Sequence, residues 1–136
     1  MLLQPKKTKF KKFKKNYLVN CIETKANQLT KGLIGLKILE STRLTSRQFE
    51  SIRQSINRNL NRKGKIWFNV FPNISATAKP TENRMGKGKG SVSYWFAPVK
   101  VGTILLEIGG VSFIKAKQAL LKGAKKLPIK TKIIIR

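Results

Sequence analysis

The stretch Thr45-Ser46-Arg47-Gln48-Phe49-Glu50-Ser51-Ile52-Arg53-Gln54-Ser55-Ile56-Asn57-Arg58-Asn59-Leu60-Asn61-Arg62-Lys63-Gly64-Lys65-Ile66-Trp67-Phe68-Asn69-Val70-Phe71-Pro72 changes its apolar period partway along. Up to Arg62 the period is that of a helix. Phe49, Ile52, Ile56 and Leu60 share one arc at ~100° per residue. Thr45 with Gln48 three residues on predicts a capping box, and Gly64 is placed to end the helix. Arg47, Arg58 and Arg62 fall on the opposite arc. From Lys65 to Phe71 the period is two: Ile66, Phe68 and Val70 alternate with Trp67 and Asn69, which predicts a strand stopped by Pro72.

Working outward, the same tests predict strands over 91–99 and 103–108, joined by a turn at Lys100-Val101-Gly102. A second helix is expected over 112–126. Phe113, Ala116, Leu120 and Ala124 lie on its inner face, and Lys115, Lys122 and Lys126 on its outer one. Pro128 stops it, and a short strand is expected over 131–135. Residues 16–44 resist assignment, with Gly32 and Gly35 as turn or bulge positions around the apolar run Leu33 to Leu39. Pro72 to Gly90 shows no period and reads as a long connection. The expected fold is α+β: a mainly antiparallel sheet with both helices on one side. Residues 1–31 form a basic N-terminal arm and extension, and 32–136 a single domain with the long loop 72–90.

Charge bounds the function. Thirty Lys and Arg stand against five acids, a net charge of +25, with no Asp and no His. Such a surplus calls for a dense anionic partner, and nucleic acid carries a phosphate on every nucleotide. An anionic membrane surface is the alternative, but both helical stripes are narrow, as in globular proteins, and not the wide faces of interfacial helices. With one cysteine, Cys21, and no histidine, no zinc ligand set can be assembled, and no intramolecular disulfide. The five glutamates do not pair at helical or strand spacing, and Cys21 lacks an imidazole, so acid–base and nucleophilic catalysis lack their usual groups. No cofactor and no small-molecule substrate is expected.

Two segments invite a polyanion. The arm carries Lys6, Lys7, Lys9, Lys11, Lys12, Lys14 and Lys15 with Phe10 and Phe13 among them, a pattern suited to threading through RNA and stacking on unpaired bases. A solvated tail is the bland alternative. The loop Arg84-Met85-Gly86-Lys87-Gly88-Lys89-Gly90 fails the P-loop pattern, because glycine follows each Gly-Lys pair, and fails the dinucleotide fingerprint, because Ser91 stands in the last place. Glycine permits close approach and positive φ, and each lysine sets a cation beside such a point. Composition alone leaves a cationic finger for RNA and a floppy, solubilising loop equally open. Trp67 and Trp95 are expected to pack on sheets rather than stack on bases. A free nucleic-acid-binding regulator is the alternative class.

These motifs converge on a resemblance. Residues 1–10 (Met1-Leu2-Leu3-Gln4-Pro5-Lys6-Lys7-Thr8-Lys9-Phe10), the strand Gly64 to Pro72, the string Lys79-Pro80-Thr81-Glu82-Asn83-Arg84-Met85-Gly86-Lys87-Gly88-Lys89-Gly90, and Lys126 to Lys132 together resemble the universal large-subunit ribosomal protein called number sixteen in bacteria. Leu44 to Gln48 and Gly109-Gly110-Val111 agree with it. The resemblance implies a non-enzymatic α+β domain on large-subunit rRNA beside neighbouring ribosomal proteins. The arm and helix faces would hold rRNA. The loop would reach the aminoacyl-site tRNA and the peptidyl-transferase region. Three departures stand out: residues 16–31 lack a glycine- and arginine-rich run, Asn69 stands where a basic residue is usual, and Asn73 and Ser75 replace Asp and Pro. A match starting at Met1 without a presequence, and a Lys, Ile and Asn richness typical of AT-rich genomes, imply an organellar version. A mitochondrion is expected ahead of a plastid or an AT-rich bacterium.

Overall fold

The computed structural model describes residues 3–14 and 21–136. Its elements run β1 (Ile34–Ile38), β2 (Thr42–Thr45), α1 (Ser46–Asn59), β3 (Lys65–Phe68), β4 (Ile74–Ala78), β5 (Ser91–Val99), β6 (Ile104–Gly109), α2 (Phe113–Ala124) and β7 (Thr131–Ile135). The fold is α+β with antiparallel sheets, as expected, but the strands divide between two sheets. One has the order β3-β6-β1-β7 and the other β2-β5-β4. The expected consecutive strands β5 and β6 therefore belong to different sheets. Gly102, at φ 91°, makes the turn between them.

The first helix begins where its cap predicts. The Thr45 backbone N–H donates to Gln48 Oε1 at 2.8 Å, and Phe49, Ile52, Ile56 and Leu60 are all buried. Its end differs from the expectation. The helix closes at Asn59 with Leu60 as C-cap, and the left-handed residues are Asn61 (φ 49°) and Arg62 (φ 61°). The Arg62 N–H reaches back to the Asn57 carbonyl at 2.9 Å, satisfying an end-of-helix acceptor. Gly64 serves a different purpose: a Cβ there would lie 2.7 Å from Val111 Cγ1 and 2.9 Å from the Gly109 carbonyl oxygen.

The inner face of α2 is rotated from the expected one. Ala116, Ala119, Leu120 and Gly123 are buried, while Phe113 is 46% exposed. Small residues face α1 because the helices cross closely. A Cβ on Gly123 would meet Ile56 Cγ1 at 2.8 Å and Cδ1 at 3.0 Å. A ring at that crossing would force the helices apart.

Three strands were not expected: β1, β4, and β2, which pairs with β5 from Thr42↔Val99 to Thr45↔Phe96. β1 lies between β6 and β7. Ile34, Leu36 and Ile38 alternate with Gly35 and Lys37 and are buried, a period-two pattern masked in the sequence by Leu33 and Leu39, which lengthen the apolar run at both ends. Gly35 is neither turn nor bulge but an interior strand residue, where a Cβ would collide with Leu29 Cδ2 at 2.5 Å. β4 shortens the expected 72–90 loop to residues 79–90. Its sequence Ile-Ser-Ala-Thr-Ala is small and polar, and it pairs with β5 from Ile74↔Phe96 to Ala78↔Ser91. β3 stops at Phe68, three residues short of expectation, and Asn69 turns its amide to the Leu105 carbonyl at 3.1 Å.

One buried charge organises the four-stranded sheet. Glu107, on β6, is fully buried with no Lys or Arg among its hydrogen-bonding side chains. Oε2 accepts the backbone N–H groups of Thr30 (3.1 Å), Lys31 (2.7 Å) and Gly32 (2.6 Å). Oε1 accepts Asn69 Nδ2 at 2.6 Å and the Thr30 hydroxyl at 3.4 Å. Burial pushes this carboxyl up, but the Asn69 amide and the three backbone N–H groups outweigh it and hold the pKa below the ordinary 4.5.

Two outcomes follow from this packing. Glu107→Gln sets an NH2 group against backbone donors and destabilises by about 2–4 kcal/mol in urea titrations. The folded-state pKa lies below the unfolded one, so the carboxylate's contribution is present above the unfolded value and lost as pH falls through the folded one. The stability of the wild type declines across that acid window, and the Gln variant shows a flatter profile there. At the helix crossing, Gly123→Val shifts the urea midpoint downward by about 1–3 kcal/mol of overpacking. Gly123→Ala costs less, because alanine's helix propensity offsets part of the clash.

Candidate nucleic-acid interface

The expected cations separate into three places. The first is the helix pair. α1 and α2 run side by side, and a cleft of about 540 Å3 between them is lined by Arg58, Asn59, Lys122, Lys125 and Lys126 with Ser51, Gln54 and Ser55. Lys122 Nζ donates to Asn59 Oδ1 at 2.7 Å, and Asn59 Nδ2 donates to the Ser55 carbonyl at 2.7 Å. The asparagine is thereby locked between the helices. Arg62 joins Arg53 and Arg58 around an adjoining concavity on α1. Arg47 does not join them. It is exposed in the first turn, about 16 Å along the axis from Arg58 at the helical rise. Arg47, Arg58 and Arg62 are grouped by helical angle alone, which leaves Lys125 out. Only the pairing of α1 with α2 brings Lys125 to the cleft.

Few acids offset these charges. Among the described residues the ion pairs are Glu50–Arg53 at 2.6 Å, Glu40–Lys130 at 3.6 Å and Glu23–Lys100 at 3.8 Å. None of them involves Arg58, Arg62, Lys122, Lys125 or Lys126, and Glu107 is spent inside. The cleft therefore presents uncompensated cations beside hydroxyl and amide donors, a set suited to phosphate oxygens.

The second place is the loop 79–90. Gly86 (φ 101°), Lys87 (φ 54°) and Gly88 (φ 78°) are three successive left-handed residues. Nothing lies within 4 Å of a Cβ built on Gly86 or Gly88, so these glycines serve backbone conformation rather than packing. Gly90 differs: at the root, a Cβ would run into the backbone of Ala78 and Lys79. Arg84, Lys87 and Lys89 are exposed, and Met85 is 99% exposed at the tip. Lys79 Nζ donates to the Gly86 carbonyl across the base of the loop.

The third place is the arm, and the structure joins it to the loop. Ser75 Oγ on β4 donates to the Lys11 carbonyl at 2.6 Å. Lys12 Nζ donates to the Lys89 carbonyl at 2.8 Å, and Lys89 Nζ donates in return to the Phe13 carbonyl. Lys6, Lys7, Lys9, Lys11, Lys12 and Lys14 are exposed; Lys15 lies outside the described residues. Sequence alone offered no signal for this clasp, since its partners stand more than sixty residues apart. Trp67 packs its ring against Gly109, in keeping with a sheet-packing role.

A cationic surface of this kind suits many polyanions, and comparison with known proteins narrows the field. The family model for ribosomal protein L16p/L10e matches residues 5–134. The chain belongs to the L16p/L10e ribosomal protein family. It is 50% identical over 136 residues to the large ribosomal subunit protein uL16 of Cereibacter sphaeroides, covering 99% of this chain and 98% of that one. It is 51% identical over 135 residues to uL16 of Hyphomonas neptunium, covering 99% and 97%. It is 50% identical over 135 residues to the protein named uL16c of Emiliania huxleyi, covering 99% and 97%. As a member of the L16p/L10e family the chain is a structural constituent of the large ribosomal subunit and not an enzyme.

The clasp yields its own outcome. Lys89→Met removes the ammonium that holds Phe13 and leaves the arm on fewer anchors. In the free protein the backbone order parameters of Lys11 to Lys14 should fall toward the flexible range, below about 0.6, while those of β5 stay unchanged.

Proposed function

We propose that this L16p/L10e family protein binds large-subunit rRNA through two surfaces. One is the arm, with Lys6, Lys7, Lys9, Lys11, Lys12, Lys14 and Lys15. The other is the helix cleft, with Arg58, Lys122, Lys125 and Lys126, continued by Arg62 in the adjoining concavity; Arg47 makes a separate contact. The loop from Arg84 to Gly90 faces the aminoacyl-site tRNA and the peptidyl-transferase region, where it supports tRNA accommodation and late subunit assembly. The observation that carries this reading is the loop itself. It is rooted by Gly90 and Lys79 and clasped to the arm, yet at its tip Met85 is 99% exposed and a Cβ on Gly86 or Gly88 would stand in open space. A tip of successive left-handed residues beside exposed cations is shaped for a surface supplied from outside. The Lys-, Ile- and Asn-rich composition supports an organellar ribosome, mitochondrial in our reading.

The tip residues are the place to test it, because Lys89 also holds the arm. The double variant Arg84→Ala/Lys87→Ala should leave stability within about 0.5 kcal/mol, as for exposed substitutions generally. The variant should still co-sediment with large subunits. Binding of tRNA to the aminoacyl site of those subunits should weaken about tenfold or more, the equivalent of one charge-assisted hydrogen bond. Unchanged tRNA binding would refute the assigned role of the loop.

A further inference from the structure

Where the arm crosses the three-stranded sheet, it closes a cavity of about 360 Å3 lined by arm residues, all three strands and the loop root. Two chemistries meet in its walls. Lys14, Arg43 and Lys89 bring cations, Phe13, Tyr94 and Phe96 bring rings, and no acid lines it. The Arg43 guanidinium sits 5.3 Å from the centre of the Phe96 ring, so a planar cation already lies on an aromatic face. The Tyr94 ring lies 6.3 Å from Phe96 at a 54° tilt, and Tyr94 is 48% exposed.

We propose that this cavity holds one unpaired nucleotide of an RNA strand, its base stacked on Tyr94 and its phosphate between Lys14 and Lys89. The inference rests on the RNA-binding reading above and assigns that surface a specific subsite. The volume is at the small end for ligand cavities, which suits a single base and not a paired stem. Rings accept any base by its face, and arginine stacks on bases as it stacks here on Phe96. A strand suits the site better than a free nucleotide, because exposed Lys11 and Lys12 continue the cationic track along the arm for neighbouring phosphates. The clasp is part of the site, since Ser75 and Lys89 hold the arm segment whose Phe13 forms one wall.

The test uses the full-length protein assembled on large-subunit rRNA and irradiated with short-wave ultraviolet light, with nucleotide adducts mapped by mass spectrometry. An adduct on Tyr94 or Phe13 is expected. Tyr94→Phe should keep the Phe13 adduct, and Tyr94→Leu should cut the yield at Phe13 about tenfold, as for the loss of one base stack. Co-sedimentation of both variants with the rRNA should persist. Adducts that fall only elsewhere, or an undiminished yield in Tyr94→Leu, would overturn the subsite while leaving RNA binding intact. A protein that fails to bind the rRNA at low salt would sink the RNA-binding reading itself. In a parallel titration, a single-stranded oligonucleotide should bind far more tightly than uridine monophosphate; equal affinity would overturn the assignment to a strand.

Discussion

The carboxylate of Glu107 is the point from which the four-stranded sheet is organised. It sits on β6, the strand that β3 and β1 flank, and is paired in register with Trp67 and Gly35. A cationic side chain as partner would have been easy to find in a chain with 30 Lys and Arg, yet the charge is met by three consecutive backbone N–H groups and an asparagine. A nest of amides fixes the path of a backbone segment, which a flexible lysine does not. Thr30 to Gly32 are thereby pinned across the sheet. Gly32 must be bare for this approach, because a Cβ would come within 2.6 Å of the Ile108 carbonyl oxygen. The amides also leave the lysines outside, available to other anions. Structure and charge display are thus solved together: the buried carboxylate stays ionised, its oxygens met by amides, and no cation among the described residues is drawn inside to pair with it.

The same carboxylate explains the departure at Asn69 from the expected basic residue. Asn69 follows β3 directly and gives its side-chain amide to Glu107 Oε1 at 2.6 Å, so the position serves here as a neutral donor to the buried acid. The departure at Ser75 has a comparable account. Its hydroxyl holds the arm through the Lys11 carbonyl, a bond that proline could not make.

What the sequence made readable was periodicity. α1 and α2 each bury one face, so their apolar residues recur at a helical spacing, and the ends of β5 and β7 matched the expected ones. β1 was hard to read although Ile34, Leu36 and Ile38 alternate with Gly35 and Lys37, because Leu33 and Leu39 extend the apolar run and Gly35 suggests a turn. β4 failed because Ser75, Ala76, Thr77 and Ala78 are too small to mark a buried side. The rotation of α2 was hidden as well. Gly123 lowers helix propensity and looks like a flaw until Ile56 is placed against it. The cationic groups of arm, loop and helices could be named from the sequence. Their division into a cleft, a clasp and a free tip could not, because Lys12 with Lys89 and Arg58 with Lys125 are joined only by tertiary packing.

Free tip and fixed root impose opposite demands on the glycines of one loop. Gly90 is required by contact, and its replacement would push on the Ala78 backbone at the β4–β5 neck. Gly86 and Gly88 are required by conformation and have open space around them. Lys87, between them, takes φ 54° without the freedom of glycine, which costs energy that the surrounding turn must supply. The clasp from Lys12 and Lys89 and the Lys79 bond across the base limit the loop's freedom at one end only. A finger built this way keeps its direction while its tip can adapt, so the entropy lost on meeting any irregular surface would be confined to the few residues that touch it.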